Sequence, residues 1–155
     1  MTVYCIDSSS IIDAGERYYP EDIFPTFWER LDGLANEGRL KAPGQLIEEL
    51  KRKSDTWRKW VYDRQLTLID EPDEAFFEAV KAVVSQYQKQ NPAHFNPDRL
   101  TYDPFFIALA LSKGYTLITS ELSRPGGFRI PAICSGVGVQ SMGLLSVVRA
   151  EGWKF

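Results

Sequence analysis

Histidine is almost missing from this chain: His94 is the only one in 155 residues. A mechanism that passes protons between two histidines is thereby excluded. Cysteine is nearly as scarce. Cys5 and Cys134 stand apart in apolar, strand-like runs, and no CxxC occurs. That argues against a structural zinc site and for two buried free thiols in a reducing cytoplasm. Long apolar runs are missing too, so no membrane span is expected. The opening MTVYCIDSSS has no basic segment ahead of an apolar one, so no secretory leader is expected either. Basic excess is lacking: 18 Lys and Arg face 21 Asp and Glu, a net charge of −3. Tight, charge-driven duplex binding calls for a basic protein. No GxxxxGK[ST] occurs, nor a GxGxxG after a strand, so the usual phosphate-cradling loops are absent. A DxDx[TV] phosphatase signature fails because position 9 is Ser.

What remains is a globular composition, 44% hydrophobic and 13% aromatic, of a length that suits one domain over 1–155. Residues 2–6 (TVYCI) read as a buried strand, followed by a serine turn in which Ser9 or Ser10 is available as an N-cap. Apolar spacing predicts a helix over 21–37, closed by Gly38. A short strand at 39–42 precedes a helix opened by Pro43, which carries Leu46, Ile47 and Leu50 on one face. Helix continues through KRKSDTWRKWVYDR, and TLID (67–70) is a second strand candidate. Residues 72–90 form an amphipathic helix with Phe76, Phe77, Val80, Val83, Val84 and Tyr87 inward. A polar loop with two prolines (91–102) leads to Asp103, read as an N-cap because Pro104 suits the first helical position. That helix closes at Gly114. TLITS (116–120) reads as a strand, RPGGF (124–128) as a turn, IPAIC (130–134) as another strand, and 140–151 as the last helix. Strands alternating with helices predict an α/β fold with a central parallel sheet covered on both faces.

Four acids fall at the ends of apolar segments: Asp7 after VYCI, Glu49 within QLIEEL, Asp103 before PFFIALAL and Glu121 after TLITS. In a parallel sheet such positions converge on one crevice. Gathered carboxylates repel unless a divalent cation neutralises them, and a cation held that way commonly serves phosphate chemistry. Each acid has a plainer explanation as well: Asp7 and Asp103 as helix caps, Glu49 as a surface helix residue, Glu121 as a loop residue. Adjacent Glu48 and Glu49 cannot face the same way, and Glu49 borders the face of Leu46 and Leu50. Glu49 is therefore the inward candidate and Glu48 the solvated one. Hard oxygen donors suit Mg²⁺ or Mn²⁺.

Taken together, these residues resemble a PIN domain. The resemblance rests on a strand ending in Asp7 with Ser9 two residues on, the helical Glu49-Leu50, Asp103 opening an IALA helix, and Thr119-x-Glu121 after a strand. RYYPEDIFPTFWERL (17–31) and FRIPAIC (128–134) look like the branch grouped with VapC-type toxins. The resemblance implies a three-layer α/β/α fold and a metal-dependent endoribonuclease. Asp7, Glu49 and Asp103 would be core metal ligands, with Glu121 in the fourth acidic position. Ser9 stands where many relatives have Asn, and Thr119 at a supporting position. It also implies an RNA substrate and a cognate antitoxin. A PIN-like module that regulates or binds RNA or protein without cutting is the alternative.

Substrate would reach this negative crevice along a basic stretch. Lys51, Arg52, Lys53, Arg58, Lys59 and Arg64 are interleaved with Trp57, Trp60 and Tyr62, a pattern that can follow an RNA backbone and stack an unpaired base. Core burial explains the two tryptophans equally well. Arg124 and Arg129 flank PGGF as further RNA-contact candidates. The aromatic excess over 17–28 (Tyr18, Tyr19, Phe24, Phe27, Trp28) fits either ordinary core packing or a partner or homodimer surface.

Overall fold

The computed structural model describes residues 1–121 and 129–155. Strand β1 (Tyr4–Ile6) leads into α1 (Ser8–Asp13) and a π-helical turn, Ala14–Tyr18. Helix α2 (Pro25–Asn36), β2 (Leu40–Pro43), α3 (Gln45–Lys53), α4 (Asp55–Tyr62), the one-turn α5 (Gln65–Leu68) and β3 (Ile69–Asp70) follow. Then come α6 (Glu74–Gln90), two 3₁₀ turns, α7 (Asp103–Lys113), β4 (Thr116–Ile118), α8 (Ile130–Val137), β5 (Ser141–Met142) and α9 (Leu144–Glu151).

The five strands form one sheet in the order β3-β2-β1-β4-β5, and every neighbouring pair is parallel. The chain moves outward from β1 to β3, then crosses back to β4 and on to β5. Right-handed crossovers in these two directions place helices on opposite faces of the sheet. Helices α6, α7 and α8 pack together on one side, with α7 lying over β1, β2 and β4. On the other, α2 and α5 pack on β2, and Trp153 beyond α9 meets Phe27 of α2 edge-on at 5.9 Å between centroids. The architecture is α/β with a parallel central sheet between helical layers, as the alternation of segments predicts. Both cysteines are buried free thiols. No described helix is long and apolar enough to cross a membrane.

Several elements depart from the sequence expectation. IPAIC opens helix α8 rather than forming a strand: Pro131 lies in the first turn, where it loses no hydrogen bond, and the apolar face packs on α6 and α7. Helix α2 starts at Pro25, leaving Ile23 exposed. Thr67 and Leu68 belong to α5, so β3 keeps only two residues. The fifth strand, Ser141–Met142, lies inside the segment expected to be helix. On α6 the buried stripe is Phe76, Ala79, Val83 and Tyr87, and Phe77, one residue off it, is exposed. The expected turn at 124–128 lies outside the described residues.

Candidate functional site

The switch point of this sheet lies between β1 and β4, where the strand order reverses direction. In open α/β sheets the crevice beyond the strands' carboxyl ends at that point is the usual ligand site. Asp7 directly follows β1, and Thr119, Ser120 and Glu121 directly follow β4. The Asp7 N–H donates to the Ile118 carbonyl at 3.1 Å, carrying the ladder to the brink of the crevice.

Asp7 is buried and caps α1 itself, the plainer of its two sequence readings, so neither Ser9 nor Ser10 is the cap. Its Oδ1 accepts from the Ser10 N–H and the Ser9 hydroxyl, both at 2.9 Å, and its side chain also bonds to Thr119. Burial pushes its carboxyl up to about 6, against the pull of these hydrogen bonds. The Ser9 hydroxyl in turn accepts from the Ser120 N–H at 3.4 Å. Ser9 and Thr119 therefore both hold Asp7, joining the ends of β1 and β4.

Glu49 is buried on α3 while Glu48 is exposed, as the helical face predicts. Its carboxylate accepts from the Ser8 hydroxyl and lies 3.3 Å from the Lys53 ammonium. Asp103 is the first residue of α7, and Tyr102 takes the cap position without a side-chain bond. This corrects the capping assignment: Asp103 lies one residue inside the helix. Burial pushes its carboxyl up to about 7, reinforced by the charges of Glu121, Glu49 and Asp7 and relieved in part by Lys53. Glu121 is half-buried, and its Oε2 accepts from the Ile130 N–H at 2.8 Å. It thereby supplies the cap of α8 that Arg129, at the cap position, does not.

In kind, these donors suit a hard divalent cation: they are oxygens, mostly anionic, and mutually repelling. In position, no three His, Cys, Asp or Glu side chains among the described residues converge to hold one. Glu49 is drawn instead to Ser8 and Lys53, and Glu121 to the end of α8.

The basic stretch divides. Lys51, Arg52 and Lys53 are exposed on the last turn of α3, and the Arg52 guanidinium lies 5.7 Å from the Tyr102 ring centre, beside Asp103. Lys59 is exposed on α4. Arg58 pairs with Asp55 at 3.7 Å. Arg64 serves the fold, bonded to Asp32 and stacked 4.2 Å over Trp60. Trp57 and Trp60 are buried, and Trp57 stacks on Trp28 at 4.7 Å. Arg124 lies outside the described residues. Within the aromatic segment, Phe27 and Trp28 are core, Tyr19 and Phe24 half-buried, and Tyr18 is 58% exposed.

One site residue escaped the sequence: Ser8 holds Glu49, although nothing in the run of three serines distinguishes it. Tyr18 and Tyr19 stand out in the sequence as part of an aromatic excess, but their place beside Glu121 does not, because the chain leaves α1 through a π-helical turn.

Fold and crevice define a doubly wound parallel α/β protein with carboxylates gathered at its switch point. The chain belongs to the family described as Domain of unknown function (DUF4411), whose model matches residues 4–155. No curated protein matches it.

Proposed function

We propose that the protein is a Mg²⁺- or Mn²⁺-dependent endoribonuclease that hydrolyses RNA phosphodiester bonds, acting in the cytoplasm as the toxin of a type II toxin–antitoxin pair. The observation that carries the nuclease reading is the electrostatic coupling of Asp103 to Glu121, Glu49 and Asp7 at the switch point. Mutual repulsion among buried carboxylates costs the fold stability beyond what their local bonds return, and a cationic ligand would offset that cost. Asp7, Glu49, Asp103 and Glu121 are the residues that would hold it. A bound dication supplies charge neutralisation at the phosphate oxygens and activation of the attacking water. The chain's own contribution is placement. Ser9, the Ser10 N–H and Thr119 lock the Asp7 carboxylate between two strand ends, and the start of α7 presents Asp103 opposite. Lys51, Arg52 and Lys59 offer a basic approach for the RNA backbone. The toxin assignment, the antitoxin and the PIN kinship rest on the sequence resemblance.

Asp7→Asn or Asp103→Asn should abolish Mg²⁺-dependent RNA cleavage and growth arrest on expression. Cleavage that survives both substitutions, with clean metal-free controls, would sink the assignment. One observation favours a second reading, a PIN-like module that binds without cutting: Glu49 and Glu121 already have partners inside the protein. Calorimetric titration separates the two, because a non-catalytic module shows no Mn²⁺ binding.

A further inference from the structure

A cleft of about 470 Å³ opens beside the carboxylates, with Thr119 and Glu121 among its lining residues. Such a volume falls within the range of small-molecule sites, roughly 300–1,000 Å³. Tyr18, Tyr19, Leu144 and Leu145 line it together with Thr119, Ser120 and Glu121 from the end of β4. None of these described lining residues is basic, so the cleft suits an uncharged ring rather than a phosphate.

The two tyrosines are not equivalent. Tyr19 is locked: its ring stacks on Phe27 at 4.2 Å, nearly parallel, and its carbonyl accepts from the Trp28 indole N–H at 2.7 Å. Tyr18 ends the π-helical turn and is 58% exposed. Short π-helical segments frequently sit at functional sites. This one is wedged open by Trp57, whose ring lies where a side chain on Gly15 would sit and whose indole N–H donates to Glu16 at 3.0 Å. The result is an aromatic face supported from behind and open in front, sharing a wall with the acidic crevice.

We propose that this cleft takes one unpaired nucleobase of single-stranded RNA, stacked on Tyr18 against Leu145, when the adjoining phosphate lies at the carboxylates. The base site rests on the nuclease reading for the nature of the ligand, and it can be tested without cleavage. Base–aromatic stacking tolerates any base. Double-stranded RNA keeps its bases stacked and cannot enter.

Fluorescence anisotropy in EDTA measures the binding of labelled ten-nucleotide oligouridylate and oligoadenylate against a ribose-phosphate chain of equal length with no bases. The intact chains should bind on the order of tenfold more tightly, and Tyr18→Ala should remove most of that margin. Tyr18→Phe should keep it, and Leu145→Asn should erode it partially. Both positions are exposed, so neither substitution threatens folding. Equal binding of intact and base-free chains overturns the proposal and points to an apolar protein side chain as the occupant. A margin untouched by Tyr18→Ala overturns it too. Mg²⁺-dependent cleavage measured separately keeps the two readings apart. Cleavage without base-dependent binding sinks the cleft and leaves the nuclease standing. Base-dependent binding without cleavage supports the cleft and sinks the nuclease.

Discussion

At the amino end of the sheet, Glu151 of α9 meets the Arg39 guanidinium at 2.7 Å and accepts from the Tyr4 hydroxyl at 2.7 Å. At the carboxyl end, Asp103 meets the charges of Glu121, Glu49 and Asp7, offset among the described residues by Lys53. The consequences run in opposite directions. The Arg39 hydrogen bond holds Glu151 below the ordinary carboxylate range, while burial and like charge hold Asp7 and Asp103 above it. Burial alone does not separate these sites, because all are shielded from water. Partnership does. Where a carboxylate ties the last helix to β1 and β2, the protein supplies a cation and a phenol. Where carboxylates lie near one another at the switch point, it supplies hydroxyls, backbone N–H groups and a half-exposed lysine. The first arrangement stabilises the fold and the second strains it, as expected of groups kept for a ligand.

The largest expected effect is on activity. Asp7→Asn should lower Mg²⁺-dependent RNA cleavage at least about a hundredfold, on the scale of losing one charge-stabilising group. Glu151→Gln, on α9 beside the amino end of β1, should leave turnover within about twofold in the folded protein. Equal losses in a cleavage assay would erase the distinction between the two ends.

Stability should show the reverse order. Arg39→Met strands Glu151, and breaking a shielded ion pair costs about 3 kcal/mol, readable as a lower urea midpoint. That contribution is full above the ordinary carboxylate pKa and is lost as pH falls through the depressed value of Glu151. Asp7→Asn should instead stabilise. Asn keeps the cap of α1 and removes a charge whose folded pKa, about 6, lies above the ordinary 3.8. Between those values the native state binds more protons than the unfolded chain, so wild-type stability falls as pH rises from about 4 to 7. The gain should be on the order of 2 kcal/mol at pH 8 and vanish near pH 4. A flat difference across that range would mean that Asp7 is not strained.

How much of this contrast is legible in the sequence follows from how local each cause is. The parallel sheet can be read because strand and helix segments alternate, and Asp7 because it ends a strand. Glu49 is separable from Glu48 because a helix has one buried face. The caps are legible only in part: Asp7 is a natural cap for α1, but the caps of α7 and α8 are not readable. Whether Asp103 caps α7 or merely begins it depends on a backbone angle at Tyr102, and Glu121 finds the end of α8 nine residues downstream. IPAIC misleads because an apolar run of five suits strand or helix, and packing on α6 and α7 decides. The tyrosine rim is hidden for the same reason, since the π-helical turn depends on a tryptophan 42 residues beyond Gly15. Gly15→Ala tests that dependence. A Cβ there would overlap the Trp57 ring, and overpacking typically costs 1–3 kcal/mol, so a loss of about 2 kcal/mol is expected. An unchanged melting temperature would show that the turn has another cause.

The smallest stability change belongs to Lys53, the cation that keeps the two ends from being fully opposite. Its ammonium is 3.3 Å from Glu49 and its side chain is about half exposed (48%), so screening leaves little net stabilisation, within about 0.5 kcal/mol. Its effect on the crevice should be larger than its effect on the fold. Lys53→Met removes a cation that relieves Asp103, so the Asp103 carboxyl should titrate still higher. It also frees a Glu49 oxygen for another cation, and Mn²⁺ should then bind severalfold more tightly by calorimetry while the urea midpoint barely moves. If Lys53 is instead a structural partner like Arg39, the midpoint will fall and Mn²⁺ affinity will not rise.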